Sequence, residues 1–438
     1  MTTSRRTMMI GCCAAITEMA GGRIRDIVIG PETSAATRDI FVLVFLRGGC
    51  DGLSFVAPYD DINYINNRPS LKLNAPGSST NAAYALPSTI NASVPFGLHP
   101  KAGGLKELYD QRKLAFVHAC GLTNGTRSHF DAMDYMERGT PSSKSTSTGW
   151  ITRHLASIGA SGNLPAVASS ATLPASLLNS PSAVAMNDSN FKLNGHWKYS
   201  SQQRAALSAF YADSSPLETV GRSTLALMDA IATKNLGTYI PAPGVEYPSE
   251  WYASGFSSSL KLVAQLIKAD LNVQVATLDY GGWDTHEGQA YALPNLINGL
   301  ARGLAAFYND LAPYHSRLTM VVMSEFGRRL RENRSGGTDH GYGNLMLVLG
   351  GNVNGGKIYG QWPGLEPSAL DKQVDLAITT DYRRVLSEII VRRLANGKLG
   401  RVFPNYSPYA PLGVVNGVDL PIDYTTGLHT VNLPMVRR

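Results

Sequence analysis

Uninterrupted apolar runs closed by glycine or an acidic residue recur along this chain. Residues 38–49 (RDIFVLVFLRGG) place an apolar, partly β-branched run before a Gly-Gly pair. Lys113 to Cys120, Val273 to Leu278, Leu318 to Met323 and Asn344 to Leu349 repeat the pattern with few polar interruptions. Runs of this kind, without strict polar alternation, mark strands buried on both faces of a sheet. Between them, residues 101–112, 200–236, 256–270, Trp150 to Ile158, Leu293 to Leu311 and Tyr382 to Leu394 read as helices. Strands alternating with helices predict an α/β fold with a doubly wound, mostly parallel sheet covered on both sides. One α/β domain is expected over 37–438. The stretch from about 140 to 265 is Ser-, Ala- and Pro-rich at first and then mainly helical, with a Pro/Gly/Tyr-rich link from Tyr239 to Pro248. It predicts a helical insertion or cap.

Composition narrows this picture. At 438 residues, 44% hydrophobic and 16% charged, the chain can bury a large core and is not of disordered type. The net charge of +6 is mild and no basic-aromatic module accompanies it, so nucleic acid is not an expected partner. A small anionic ester or an anionic glycan is compatible with it. Four cysteines include the adjacent Cys12 and Cys13; Cys50 and Cys120 lie at expected strand ends, either paired or as buried thiols. No zinc-ribbon spacing exists, so any metal must be held by oxygen and nitrogen.

At the N-terminus, Ser4-Arg5-Arg6-Thr7-Met8-Met9 resembles a twin-arginine export motif, followed by a small-residue apolar run to about Ala20 that Glu18 interrupts. Residues 1–36 are expected to be signal and leader, and the protein periplasmic or secreted; a frayed terminus is the alternative. Nothing later approaches a membrane-spanning length.

The chemistry-bearing residues sit at the ends of the expected strands, where a parallel sheet presents its ligand-binding edge. Asp51 follows Gly48-Gly49-Cys50. Thr126-Arg127-Ser128-His129-Phe130-Asp131 gathers a hydroxyl, a cation, an imidazole and a carboxylate after the second strand. Ser128 (or, less favoured, Thr126) is a candidate nucleophile, Arg127 and Arg328 candidate anion clamps, and His129 a candidate catalytic group. Asp131 reads as the N-cap, the favoured choice, or the first-turn acid of a helix. Asp284 and His286, two apart after the third strand, can chelate one ion. Glu325 ends the fourth strand as a ligand, a general base or the partner of Arg328 or Arg329, and Asp339-His340 lies in a glycine-rich loop. The remaining histidines (His99, His118, His154, His196, His315 and His429) read as surface or satisfied core residues. There is no G-x-S-x-G elbow, no Walker loop and no dinucleotide G-x-G-x-x-G after the first strand.

Taken together, RGGCDG at 47–52, RSHFDAMDYMERG at 127–139, GGWDTHEGQ at 281–289, MSEFGRRLREN at 323–333 and GGTDHGYGN at 336–344 resemble a family of bacterial twin-arginine-exported proteins. It is catalogued as a domain of unknown function (DUF1501 type) and grouped with the alkaline phosphatase and sulfatase superfamily. The resemblance runs from about Asp39 to Phe403. It implies an alkaline phosphatase-like sheet with two metal positions at its C-terminal edge, Asp51 as first-strand ligand, Ser128 at the nucleophile position, and Asp284/His286 as one carboxylate-imidazole pair. The rest can be drawn in two ways. Either Asp339-His340 is the superfamily's Asp-His pair, or Glu325-Phe326-Gly327 fills that slot, with Phe326 replacing the imidazole and His340 a late ligand. The second fits the strand better and leaves the position of Asp51 and Glu325 one imidazole short. The sulfatase signature C/S-x-P-x-R is absent, and Tyr342 stands where relatives are expected to carry His. The metal ligands implied are Asp51, Asp284, His286, Glu325, Asp339 and His340, for one or two divalent ions. Zinc or manganese suits a mixed oxygen and nitrogen set. The implied activity is metal-dependent hydrolysis of phosphate or sulfate esters; the alternative is a non-catalytic secreted binding protein on a degraded site.

Overall fold

Every residue of the first apolar run is buried, and alternate side chains leave opposite faces of the strand. Ile40, Val42, Val44 and Leu46 join one apolar cluster; Phe41, Leu43 and Phe45 join a second. A strand with two apolar faces needs cover on both, and the helices divide accordingly. Gly103–Asp110, Ser254–Lys268 and Gln289–Asp310 pack on the first cluster, and His129–Arg138, Trp150–Ile158 and Tyr382–Arg392 on the second.

The computed structural model describes residues 38–426 apart from 88, 92, 124, 161, 163, 190, 191, 194, 195, 214 and 235. The export motif and leader expected at 1–36, and His429, lie outside the described residues. In chain order the strands are β1 (Ile40–Leu46), β2 (Val56–Ala57), β3 (Tyr84–Leu86), β4 (Phe96–Leu98), β5 (Leu114–Gly121), β6 (Ala166–Ser169), β7 (Ala183–Ala185), β8 (Val275–Tyr280), β9 (Leu318–Ser324), β10 (Arg328–Glu332), β11 (Thr338–His340), β12 (Asn344–Gly350), β13 (Lys357–Tyr359) and β14 (Thr380–Asp381). The central sheet runs β13-β5-β12-β9-β1-β8-β6-β7, with β14 also on β5. All its pairings are parallel except those of β12, which runs against both β5 and β9. The α/β architecture is thus a mixed, mostly parallel sheet.

The stretch from 140 to 265, expected as a mainly helical insertion or cap, carries helices Trp150–Ile158, Ser200–Phe210 and Pro216–Thr233 together with two short strands. It contributes β6 and β7, which extend the sheet beyond β8. Their short, small-residue sequences (AVAS and AVA) carry little strand signal. Cys50 and Cys120 are both free and buried, which removes the disulfide alternative, and burial pushes both thiols well above their ordinary range. Among the described residues, no helix is long and apolar enough to cross a membrane.

Strand register decides where the loops meet. Leu46 stands beside Tyr280 on one side and Ser324 on the other, so β1, β8 and β9 end level. Cys120, near the end of β5, pairs with Asn344 at the start of β12. The segments after β1, β5, β8 and β9, and the β10–β11 ribbon before β12, therefore converge on one edge of the sheet.

Candidate metal centre

Close approach of these segments begins with backbone. Gly48 and Gly49 both adopt positive φ (+121° and +67°). A Cβ on Gly48 would lie 2.5 Å from the Asp284 amide nitrogen, and one on Gly49 2.5 Å from the Phe326 ring. Only glycine lets the loop after β1 pass this close to the loops after β8 and β9. Gly48→Ala is expected to lower the unfolding free energy by about 1–3 kcal/mol. An unchanged urea midpoint would mean that the loop relaxes around the methyl group.

Three imidazoles converge above this crossing, and each is held from behind by its Nδ1 atom. His129 opens helix His129–Arg138 and sets Nδ1 2.7 Å from Glu325 Oε1. Glu325 is fully buried; it also accepts from the Gly48 amide at 2.8 Å and from Ser324 Oγ at 2.9 Å. Burial alone would raise the Glu325 carboxyl, but the His129 hydrogen bond and the backbone amides hold it below its ordinary range. The same hydrogen bond raises His129. His340 places Nδ1 2.8 Å from the Arg127 carbonyl, which can only accept, so the proton is on Nδ1 and Nε2 carries the lone pair. His286 directs Nδ1 at Asp339 Oδ1, 3.3 Å away, again leaving Nε2 bare.

The three Nε2 atoms face one carboxylate. Asp284 Oδ1 lies 3.2 Å from His286 Nε2 and 3.3 Å from His340 Nε2, and Asp284 Oδ2 lies 3.4 Å from His129 Nε2. His286 Nε2 and His340 Nε2 are themselves only 2.8 Å apart. Ligating atoms of His129, Asp284 and His340 all fall within 4.8 Å of one another. Among the described residues, buried His129 Nε2 has no hydrogen-bond partner. Two lone pairs at 2.8 Å and a third unpartnered nitrogen repel unless a proton or a cation sits among them. Phe326 is buried beneath, its ring 4.8 Å from that of His129 and 4.9 Å from that of His340. The Asp284 and His286 side chains remain 48% and 43% exposed, so one side is open to solvent.

Several sequence expectations are revised by this geometry. Glu325 and Asp339, read as ligands, stand behind His129 and His286 as hydrogen-bond partners. Asp51, read as the first-strand ligand, is fully buried and committed elsewhere. Arg68 grips both its oxygens (2.5 and 3.0 Å), and Ser54 Oγ and Gln289 Nε2 donate to Oδ2 at 2.8 and 2.6 Å. Arg328, read as an anion clamp, is turned to protein acceptors. It is 1% exposed and donates to the Gly48, Gly49, Trp283 and Thr338 carbonyls as well as to Asp284 Oδ1 at 2.6 Å. Burial works against ionisation of Asp284, but this guanidinium outweighs it and keeps the carboxyl below its ordinary range. Arg127 pairs with Asp375 and lies over the Tyr342 ring, 4.7 Å from its centre. Ser128, not Asp131, caps helix His129–Arg138; Asp131 in its first turn pairs with Lys144. Sequence reasoning missed Arg68 and Gln289. Gln289 lay within the GGWDTHEGQ motif, but Arg68 had no linear signal at all.

Residues 253–403 match a family model described as "Protein of unknown function (DUF1501)". Over that segment, about a third of its length, the chain is similar to the DUF1501 family. The DUF1501 match includes Asp284, His286, Glu325, Asp339 and His340, whereas Asp51, Ser128 and His129 precede it. No curated protein matches. Among solved structures, one similar chain is Ps i-CgsB, in complex with k-i-k-neocarrahexaose, at a TM-score of 0.33 and 9% identity, covering 74% of this chain and 68% of that one. Another is the alkaline phosphatase from the Antarctic bacterium TAB5, at a TM-score of 0.26 and 9% identity, covering 72% of this chain and 92% of that one. The architecture stands on the strand order and pairing of the central sheet.

Proposed function

We propose that this chain is an exported, metal-dependent hydrolase of phosphate or sulfate esters. Its divalent ion, zinc or manganese, would be held by His129, His286, His340 and Asp284. The observation that carries the reading is the convergence of three Nε2 atoms on Asp284, each imidazole backed at Nδ1 by an oxygen acceptor. Metal-ligating histidines are fixed in this way, because the outer acceptor sets the tautomer and makes the facing nitrogen more basic. An imidazole and carboxylate set of this kind suits zinc or manganese better than calcium.

When bound, such an ion supplies Lewis acidity toward an ester oxygen and activates water near neutral pH. The chain's own residues do the rest. Arg328 fixes the Asp284 carboxylate, Glu325 and Asp339 orient two imidazoles, and the half-exposed side at Asp284 and His286 leaves room for substrate. With Ser128 Oγ turned to its helix end, water is the favoured nucleophile. With Asp51 consumed by Arg68, a single ion is favoured over two. The twin-arginine-like segment favours export of a folded, metal-loaded protein.

Metal analysis of the purified protein, with assays on aryl phosphate and aryl sulfate esters, tests the reading. One equivalent of zinc or manganese is expected, and Asp284→Ala is expected to lose both metal and ester hydrolysis. A protein that binds no divalent ion and does not respond to chelation would overturn it in favour of a secreted binding protein.

A further inference from the structure

Behind the ligand loops lies a buried amide used from both ends. Gln289 is the first residue of helix Gln289–Asp310 and is 1% exposed. Its Nε2 donates to Asp51 Oδ2 at 2.6 Å. Its Oε1 accepts from Thr285 Oγ1 at 3.0 Å and from Thr338 Oγ1 at 2.7 Å. Thr285 sits between Asp284 and His286, and Thr338 immediately precedes Asp339-His340. The two threonines also meet through backbone, the Thr338 amide donating to the Thr285 carbonyl at 3.1 Å. One side chain thus joins both loops carrying Asp284, His286 and His340, and ties them to Asp51, which Arg68 holds rigidly from the other side.

We infer that Gln289 is a positioning residue of the metal centre, acting through Thr285 and Thr338 to set the spacing of His286 and His340. The inference rests on the proposed metal centre. The position needs a donor toward the Asp51 carboxylate and an acceptor toward two hydroxyls at once, which a neutral amide supplies. Methionine has a similar length but supplies no N–H donor. It would leave the two hydroxyls and Asp51 Oδ2 short of a partner, so the loops would find a new spacing. Outer contacts of this kind change metal affinity by about 10–100-fold.

The test is titration of the metal-free full chain with cobalt(II) and with zinc against a competing chelator, reading affinity, stoichiometry and the visible cobalt spectrum. Wild-type protein is expected to bind one equivalent. Gln289→Met is expected to bind one equivalent about 10–100-fold more weakly, with an altered cobalt spectrum. Far-UV circular dichroism and the urea midpoint of the metal-free form report folding separately. Should Gln289→Met not fold, the pair Thr338→Val and Thr338→Ser replaces it, with weakened binding in the first and recovery in the second. Unchanged affinity and an unchanged spectrum in a folded variant would overturn the inference, even if the urea midpoint fell. Absence of binding by wild-type protein would instead overturn the metal-centre reading itself.

Discussion

Arg68→Met is expected to unfold with about 3–5 kcal/mol less free energy than the wild-type chain, measured by urea denaturation of the metal-free protein. Arg68 and Asp51 are both fully buried. The guanidinium donates to Asp51, to Ser54 Oγ at 2.7 Å, and to the Leu330 and Arg329 carbonyls at 2.9 and 2.8 Å. Burial would raise the Asp51 carboxyl; Arg68, then Ser54 and Gln289, bring it below its ordinary range. Methionine fills much of the space of the arginine stem but leaves a buried carboxylate, still bonded by Ser54 and Gln289, without its counter-charge, and an uncompensated buried charge costs more than the pair contributed. Adding Asp51→Asn removes that charge, so the double variant is expected to be more stable than Arg68→Met alone. A single variant within about 0.5 kcal/mol of wild type, the range of ordinary surface substitutions, would show that Asp51 is neutralised in some other way.

The second large effect is on acid stability. His99, His118 and His154 are buried, and burial lowers each from the ordinary 6.5 to about 4. Above pH 6.5 all three are neutral whether the chain is folded or not. Between pH 6.5 and about 4 the unfolded chain takes up protons that the folded chain refuses, so stability falls as pH falls, and the loss levels off below 4. Each imidazole accounts for about 3 kcal/mol of that fall. The raised groups Glu137, Asp375 and Asp39 (through burial) and His129 (through Glu325) work in the opposite direction and offset part of it. Asp51 and Glu325, held low in the fold, lose their contribution only as pH falls further, through their own depressed values. A single substitution isolates one member. His118 donates from Nε2 to the Val56 carbonyl at 2.9 Å and accepts the Ala119 amide on Nδ1 at 2.9 Å, a pattern a glutamine amide can reproduce. His118→Gln is therefore expected to lose about 3 kcal/mol less than wild type between about pH 7 and pH 4. Equal losses in the two proteins would place the acid sensitivity elsewhere.

How much of this the sequence disclosed depends on the range of the interactions involved. The long apolar runs that became β1, β5, β8, β9 and β12 were legible because burial on both faces leaves a continuous signature. The reversed direction of β12 was not, since an apolar run is the same read in either sense. β6 and β7 were hidden by their brevity and small residues. Positions at strand ends marked Asp51, Asp284 and Glu325, and loop neighbours marked His286 and His340, because the edge of a sheet is a local property. What each carboxylate touches was not local. Glu325 meets His129 across 196 residues, and Gln289 meets Asp51 across 238. Arg68, only 17 residues from Asp51, was equally silent, because nothing around it distinguishes a buried arginine from a surface one.

The reversed β12 has a mechanical consequence. Because it lies directly beside β9, the chain climbs one strand, carries the β10–β11 ribbon across the centre and descends the adjacent strand. The segment bearing Asp339 and His340 is thus an arch with both feet set in neighbouring rows of one sheet. Withdrawing the proposed ion from the imidazoles would leave those feet where they are. On the metal-centre reading, loss of the ion and loss of the fold would then be separate events, and an emptied centre would keep the shape into which the next ion must fit.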